Sequence, residues 1–479
     1  MTRDVLVIAG GRLLSAVLAL IALRVSTTVL SSAEFGYMAL MLGAQTLSTL
    51  VVINPVGQWI NRHTHAWWDE GSLAQRLRAY RPWVVGASLL SASAFAMWAL
   101  QQTGQWPGMA SIAVAAAVVA AVYNGTYVPL LNMLGHRKQF VLLSNVSVAL
   151  GLVCSVLFTW HTASAPLWLL GQATGLAVGA VLARSSLPRH QLVRSVSGPP
   201  VLISRADYAQ FCIPLALSTA CMWIVTAGWR FVGEHYWGLE ALGQLYVALT
   251  LTLQIWTLAE SLLMQVLIPL FYRGLEGQGR NGMGAVFSQL INAQLPIYLL
   301  LLGATVLSSK ALLLLFVGPA YHAASSVVLL AAFVEFFRVV SNVVGNAAQA
   351  TRQTRYLIAP YGLAVLTLMA LLLGSGLLKM PVEFAVISLA VAGLVLFIAL
   401  SHQMKKLLDW SIHWSGLGIP ALFAGLALLA VPWLPPVQSL FSGLLQVAWV
   451  GTVATALAVH VLKTNPGLKA LLQIKLRGP

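Results

Sequence analysis

Charge is what this sequence has least of. Asp, Glu, Lys and Arg make up 8% of its 479 residues, against about 25% in an ordinary soluble domain. Apolar residues make up 59%. A water-soluble core of that composition would lack the polar surface to stay dissolved, so a soluble enzyme and a disordered scaffold are both excluded. Cysteine is scarce as well. Cys154, Cys212 and Cys221 all fall within apolar stretches, which excludes a disulfide framework. No glycine-rich loop ending in Lys is present, so ATP-driven pumping has no support. No His, Cys or Asp cluster has metal-ligand spacing, so no metal and no cofactor is expected. The polar loops are short, which leaves no room for a separate catalytic domain. An enzyme is therefore not expected.

Long apolar runs are what is there. About 20 apolar residues make one helical crossing of a bilayer. Fourteen such segments are predicted, over 5–30, 36–60, 82–101, 109–134, 140–160, 165–183, 208–230, 242–271, 286–307, 323–350, 356–378, 382–404, 414–433 and 441–462. The runs are continuous rather than alternating, so the expected class is an all-α polytopic membrane protein and not a β-barrel. The first run is too long for a signal peptide and carries Arg12 and Arg24, so it reads as a retained span.

The net charge of +15 first suggests nucleic acid, but position argues for topology instead. With the N terminus inside, Arg230, Lys310 and Lys379 fall outside and Arg12, Arg24 and Arg338 fall within spans. The other 21 of the 27 Lys and Arg fall on the inner side. This alternation follows the positive-inside rule and predicts that both termini are cytoplasmic. No nucleic-acid partner is expected.

The polar stretch near 185–207, with Pro188 and Gly198-Pro199-Pro200, reads as a cytoplasmic linker. It separates a six-span lobe over 1–184 from a second over 208–405. Two further spans and a tail occupy 406–479. The lobes look like repeats. Glu34 and Gly36 stand just after the first outer loop, and Glu240 and Gly243 stand at the corresponding place in the second half. Span 4 ends Gly135-His136-Arg137 and span 10 ends Ala350-Thr351-Arg352. The offsets are 207 and 215, so the halves stay nearly in register. Both begin inside, so the repeats are parallel in topology.

In this layout, in the acidic and glycine residues of that turn and in the span ends before Arg137 and Arg352, the sequence resembles the polysaccharide flippases. These are the Wzx-type members of the multidrug/oligosaccharidyl-lipid/polysaccharide (MOP) exporter superfamily. The resemblance covers the whole chain and rests on layout more than on any one motif. It implies a two-lobed, V-shaped fold in a bacterial inner membrane. It implies movement of an undecaprenyl-pyrophosphate-linked oligosaccharide from the cytoplasmic to the outer leaflet by alternating access. That step serves O-antigen, capsule or exopolysaccharide biosynthesis, with polymerase and assembly proteins as partners. Drug exporters of the MATE type and the lipid II flippase share the layout. A non-transporting scaffold of an envelope assembly complex is a further alternative.

Polar residues within spans carry the remaining information, because an ionised side chain at mid-membrane costs roughly 2.5–3.5 kcal/mol on insertion scales. Span 10 places Glu335, Arg338, Asn342, Asn346, Gln349 and Gln353 at spacings of three and four, one stripe on a helix. The stripe is read as lining a water-filled path suited to sugar hydroxyls; a polar seam between helices is the alternative. Glu335 and Arg338 can pair at i and i+3. Arg24, Arg230 and Arg338 are the candidate cations for a pyrophosphate, since Arg offers phosphate a bidentate fork. Arg24 and Arg230 also suit snorkelling to the headgroups. Glu260 is a lone acid in span 8. It suits proton or Na⁺ coupling, or service as the partner of a buried Arg. Asn54 and Gln58 share a helix face beside Pro55, and Asn124 and Tyr127 stand in span 4. All four are candidate sugar contacts.

Overall fold

A computed structural model describes residues 2–187, 205–275, 278–351, 353–434, 437–465 and 467–469. Residues 188–204 of the expected linker and Arg352 lie outside the described residues. Those described are helical, with no strand among them. The helices are α1 (Thr2–Val29), α2 (Ser32–Ser48), α3 (Asn54–Asp69), α4 (Leu73–Ala79), α5 (Arg81–Thr103), α6 (Gly108–Met133), α7 (Arg137–Phe158) and α8 (Ala165–Ser186). Then follow α9 (Arg205–Trp223), α10 (Trp229–Leu275), α11 (Arg280–Phe316), α12 (Ser325–Ala350), α13 (Ile358–Leu377), α14 (Glu383–Lys405), α15 (Gly418–Ala430) and α16 (Leu440–Thr464).

Among the described residues, thirteen helical stretches are long and apolar enough to cross a membrane, and this is a multi-pass membrane protein. One stretch, Cys212–Leu275, is 64 residues long. Within it Gly238 has φ 80° and ψ 170°, a conformation outside the helical region that is open to a residue without Cβ. Each side of Gly238 is long enough for a crossing, which recovers the fourteenth. The sequence predicts a loop over 231–241 here; the chain instead turns at this one glycine. Other differences are at ends. α11 extends to Phe316, so Lys310 lies on the helix, and α12 stops at Ala350, so Gln353 lies beyond the stripe.

Among the described residues, two π-helical turns interrupt the regular helices. Thr49–Ile53 joins α2 to α3, and Ile224–Gly228 joins α9 to α10. Such turns concentrate at functional sites. Both precede or contain residues that narrow the helix path: Pro55 follows the first and Gly228 closes the second.

The chain forms two compact units. The first comprises residues 1–22 and 29–243, the second 23–28 and 244–479. Small residues set the packing of the first unit. A Cβ at Gly171 would strike the backbone of Ser155, and one at Gly175 the backbone of Gly151. α7 and α8 therefore approach backbone to backbone, the usual device of helices that gain little from hydrophobic burial in lipid. Within the same unit Gly36 and Gly243 meet reciprocally. A Cβ on Gly36 would collide with the Leu239 carbonyl, and one on Gly243 with the Ser32 carbonyl. Ser32 and Leu239 are themselves 207 positions apart, so the contact obeys the repeat offset.

In the second unit, the end of α1 is fixed on the turn after α11. The Gly318 amide donates to Thr27 Oγ1 at 2.8 Å, and the Arg24 guanidinium donates to the Leu314 and Val317 carbonyls.

Candidate functional site

The first polar site is a cavity of about 480 Å³ inside the first unit. It lies where the π turn of Thr49–Ile53 meets α3, α6 and α9. Thr49, Asn54, Gln58, Tyr80 and Thr126 supply its polar lining; Gly57, Gly125 and Ala121 leave it room. Among the described residues that line it, none is charged. Gln58 Nε2 donates to Asn54 Oδ1 at 3.4 Å, a long bond that a better acceptor could displace. Asn54 and Gln58 thus stand together on a cavity wall. Thr49, Tyr80 and Thr126 are site residues that the sequence pattern did not single out. The signal for them was the small-residue gap on α6, Ala121 and Gly125, opposite the polar face of α3.

Asn124 and Tyr127, the chain neighbours of Gly125 and Thr126, do other work. Asn124 Nδ2 donates to Ser147 Oγ and to the Leu176 carbonyl, each at 3.0 Å, tying α6 to α7 and α8. Tyr127 stacks on Tyr123 with centroids 6.2 Å apart and planes 11° apart. It lines a different, apolar trough.

The second polar site is a charged cluster inside the second unit. Arg338 Nε donates to Glu335 Oε2 at 2.6 Å, and Arg338 Nη1 donates to Glu260 Oε2 at 2.9 Å. Asn342 Nδ2 donates to the other Glu260 oxygen at 2.9 Å. The spacing of three and four residues on α12 puts Glu335, Arg338 and Asn342 on one face, and that face meets α10 at Glu260. Glu335 is 5% exposed. The Arg338 and Glu260 side chains are 25% and 16% exposed. The cluster holds two carboxylates and one guanidinium. Bridging of this kind offsets the desolvation of three charges only when the geometry is good, and here each contact is short and charge-assisted.

Unspent hydrogen-bonding capacity surrounds the cluster. Arg338 Nη2, Ser341 Oγ, Asn346 Nδ2, Tyr298 Oη and Gln294 Oε1 are buried without a partner. Tyr298 stacks on Trp256, centroids 6.4 Å apart. At this depth the stripe on α12 is a seam between two helices. Farther along, Asn346 is buried at 6% and Gln349 is exposed.

The three candidate cations have different partners. Arg338 is in the cluster. Arg24 belongs to the second unit, and its Nη1 is taken up by two backbone carbonyls. Arg230 belongs to the first, donating to the Ala39 carbonyl at 3.0 Å and to the Thr226 carbonyl at 3.2 Å. Among the described residues, no group of three or more His, Cys, Asp or Glu could hold a metal ion.

No family model matches the sequence, and no curated protein sequence matches it. The structure does have solved counterparts. It is similar to the lipid II flippase MurJ in an inward closed conformation, with a TM-score of 0.66 at 10% identity, over 96% of this chain and 99% of that one. It is similar to a multidrug-resistance MATE transporter of the MOP superfamily, with a TM-score of 0.54 at 14% identity, over 83% of this chain and 95% of that one. It is also similar to the eukaryotic MATE transporter AtDTX14, with a TM-score of 0.52 at 16% identity, over 90% and 98% of the two chains. The fold is the one these solved structures share.

Proposed function

We propose that this chain is a flippase of that fold, moving an undecaprenyl-pyrophosphate-linked oligosaccharide across the bacterial inner membrane for surface polysaccharide assembly. The observation that carries the proposal is the cavity beside the π turn. Its lining, among the described residues, offers amide and hydroxyl groups and no charge. Such a lining suits the many neutral hydroxyls of a glycan and gives a cationic drug nothing to pair with. The likeness to a lipid II flippase over nearly the whole chain supports a lipid-linked substrate.

In this reading the two six-helix lobes, 1–184 and 208–405, alternate access to the two sides, and the lipid tail stays in the bilayer. Arg24 is the cation best disposed toward a pyrophosphate. Its Nη1 is held rigidly by two carbonyls, which leaves the Nε and Nη2 edge of the guanidinium for phosphate oxygens. Arg338 is ion-paired with two carboxylates and Arg230 donates from both Nη atoms, so these two would contribute by field rather than contact. The cluster of Glu260, Glu335 and Arg338 carries one more carboxylate than cation. That imbalance favours a bound H⁺ or Na⁺ at this cluster as the driving ion.

The test is leaflet-to-leaflet transfer of undecaprenyl-pyrophosphate oligosaccharide in proteoliposomes. Wild type should transfer it, and Asn54→Leu with Gln58→Leu should slow transfer by about tenfold or more, the equivalent of losing one or two net hydrogen bonds. Equal rates in wild type and the double variant would remove the cavity from the path. No transfer by intact wild-type protein with several glycans would shift the proposal to ion-coupled export of small molecules or to scaffolding.

A further inference from the structure

The first unit holds a second hollow, larger than the polar cavity. It is a trough of about 650 Å³ formed by α5, α6 and α8. Alanines of α6 and α8, among them Ala116, Ala120, Ala173 and Ala177, line it. On each helix these two stand four residues apart and share a face. Larger side chains there would fill the space; alanine leaves it open. The trough opens sideways, because Ile112 and Val181, which line it, are 65% and 67% exposed.

Along α8 the lining runs from Leu170 to Arg184. At 1.5 Å per residue that is about 21 Å. One leaflet of hydrocarbon is about 15 Å deep, so the trough accepts an extended acyl chain along its whole length. Its two ends differ. The Ile112 and Leu170 end is aliphatic. The other end carries Arg184, in the last turn of α8, and the stacked pair Tyr123 and Tyr127. Arg184 makes no ion pair among the described residues. An apolar channel with a guanidinium at one mouth is complementary to an amphiphile with an anionic head.

We propose that this trough is a binding site for an anionic phospholipid, one acyl chain lying along the alanines and the phosphate resting on the Arg184 guanidinium. The site is independent of the transport substrate. A polyprenyl chain would share the chemistry but is much longer than the trough, so the phospholipid is the better match in length.

Photolabelling in nanodiscs tests this. The full-length protein is reconstituted in phosphatidylcholine with a small fraction of phosphatidylglycerol bearing a diazirine on its acyl chain. Labelled peptides are then mapped by mass spectrometry. The expected result is dense labelling in 112–127 and 170–184, above that on the exposed faces of α15 and α16, which report bulk lipid. Arg184→Gln should lower trough labelling by the phosphatidylglycerol probe about tenfold, the cost of one charge-assisted contact. It should leave a phosphatidylcholine probe unchanged. Ala177→Trp should abolish trough labelling by both probes. Labelling no denser than on α15 and α16, or an equal response of the two probes to Arg184→Gln, would overturn the proposal. Displacement of the probe by undecaprenyl phosphate but not by unlabelled phosphatidylglycerol would reassign the trough to a substrate tail. Arg184 is exposed, so its variant reads out even where the tryptophan variant does not fold.

Discussion

The two polar sites of this chain handle polar atoms at membrane depth in opposite ways. In the first unit the polar groups described are neutral, they face a cavity, and the hydrogen bond from Gln58 to Asn54 is long. In the second unit the groups are charged, they face one another, and their contacts are short. A neutral amide that loses its partner costs a fraction of what an unpaired charge costs in hydrocarbon. A chain can therefore leave Asn54 and Gln58 waiting for a ligand. It cannot leave Glu335 waiting for anything. The difference teaches that charge buried in a span is weak evidence of a substrate contact until its partners are known.

The hardest test of the contrast is Arg338→Ala. It strands two carboxylates, one of them nearly fully buried, and should lower stability by about 3–5 kcal/mol, the cost of breaking a buried pair. Thermal unfolding of the purified protein in detergent measures it, and adding Glu335→Gln to the same variant should recover part of the loss. An unchanged melting temperature in Arg338→Ala would mean that the cluster is not a structural seam. Next is Asn124→Ala, which removes two hydrogen bonds linking three helices and should cost about 1–2 kcal/mol with transport per folded molecule unchanged. A fall in transport without a fall in stability would move Asn124 into the path.

Asn342→Leu should cost about 0.6 kcal/mol, the average for a hydrogen bond between membrane helices, since Glu260 keeps its ion pair with Arg338. A loss comparable with that of Arg338→Ala would show that the amide and the guanidinium act as one network. The smallest expected effect is Thr126→Val, which exchanges a cavity hydroxyl for a methyl of similar shape. It should slow transfer by about twofold to threefold with stability within about 0.5 kcal/mol of wild type. A change in stability alone would place Thr126 with the structural residues.

The spans were legible because apolar runs of about 20 residues have few other uses. The break at Gly238 was not, because a loop and a single positive-φ glycine leave similar sequences. The stripe of Glu335, Arg338 and Asn342 was legible from its spacing, but spacing gives a face and not what the face meets. Glu260 lies 78 residues from Arg338, and only the fold brings them together. Glu260 was visible in advance as the partner of some buried arginine. The π turn at Thr49–Ile53 left no such trace, since one extra residue in a turn of Thr, Leu, Val, Val and Ile has no signature in composition. Arg184 counted only as one basic residue among many on one side, and its place at the mouth of a trough needed the alanines of two helices to be seen together.

The reciprocal contact of Gly36 with Gly243 has a consequence for how this sequence can change. Ser32 and Gly36 meet Leu239 and Gly243 as corresponding positions of two copies would meet across a dyad, i against j and j against i. A side chain introduced at either glycine meets the same obstacle, a backbone carbonyl that cannot rotate away. Neither position can therefore drift while the other stays, and a compensating mutation has nowhere to occur except in the main chain. The pair should stay glycine in relatives whose halves have otherwise lost all trace of each other, and it marks the register for aligning one half on the other.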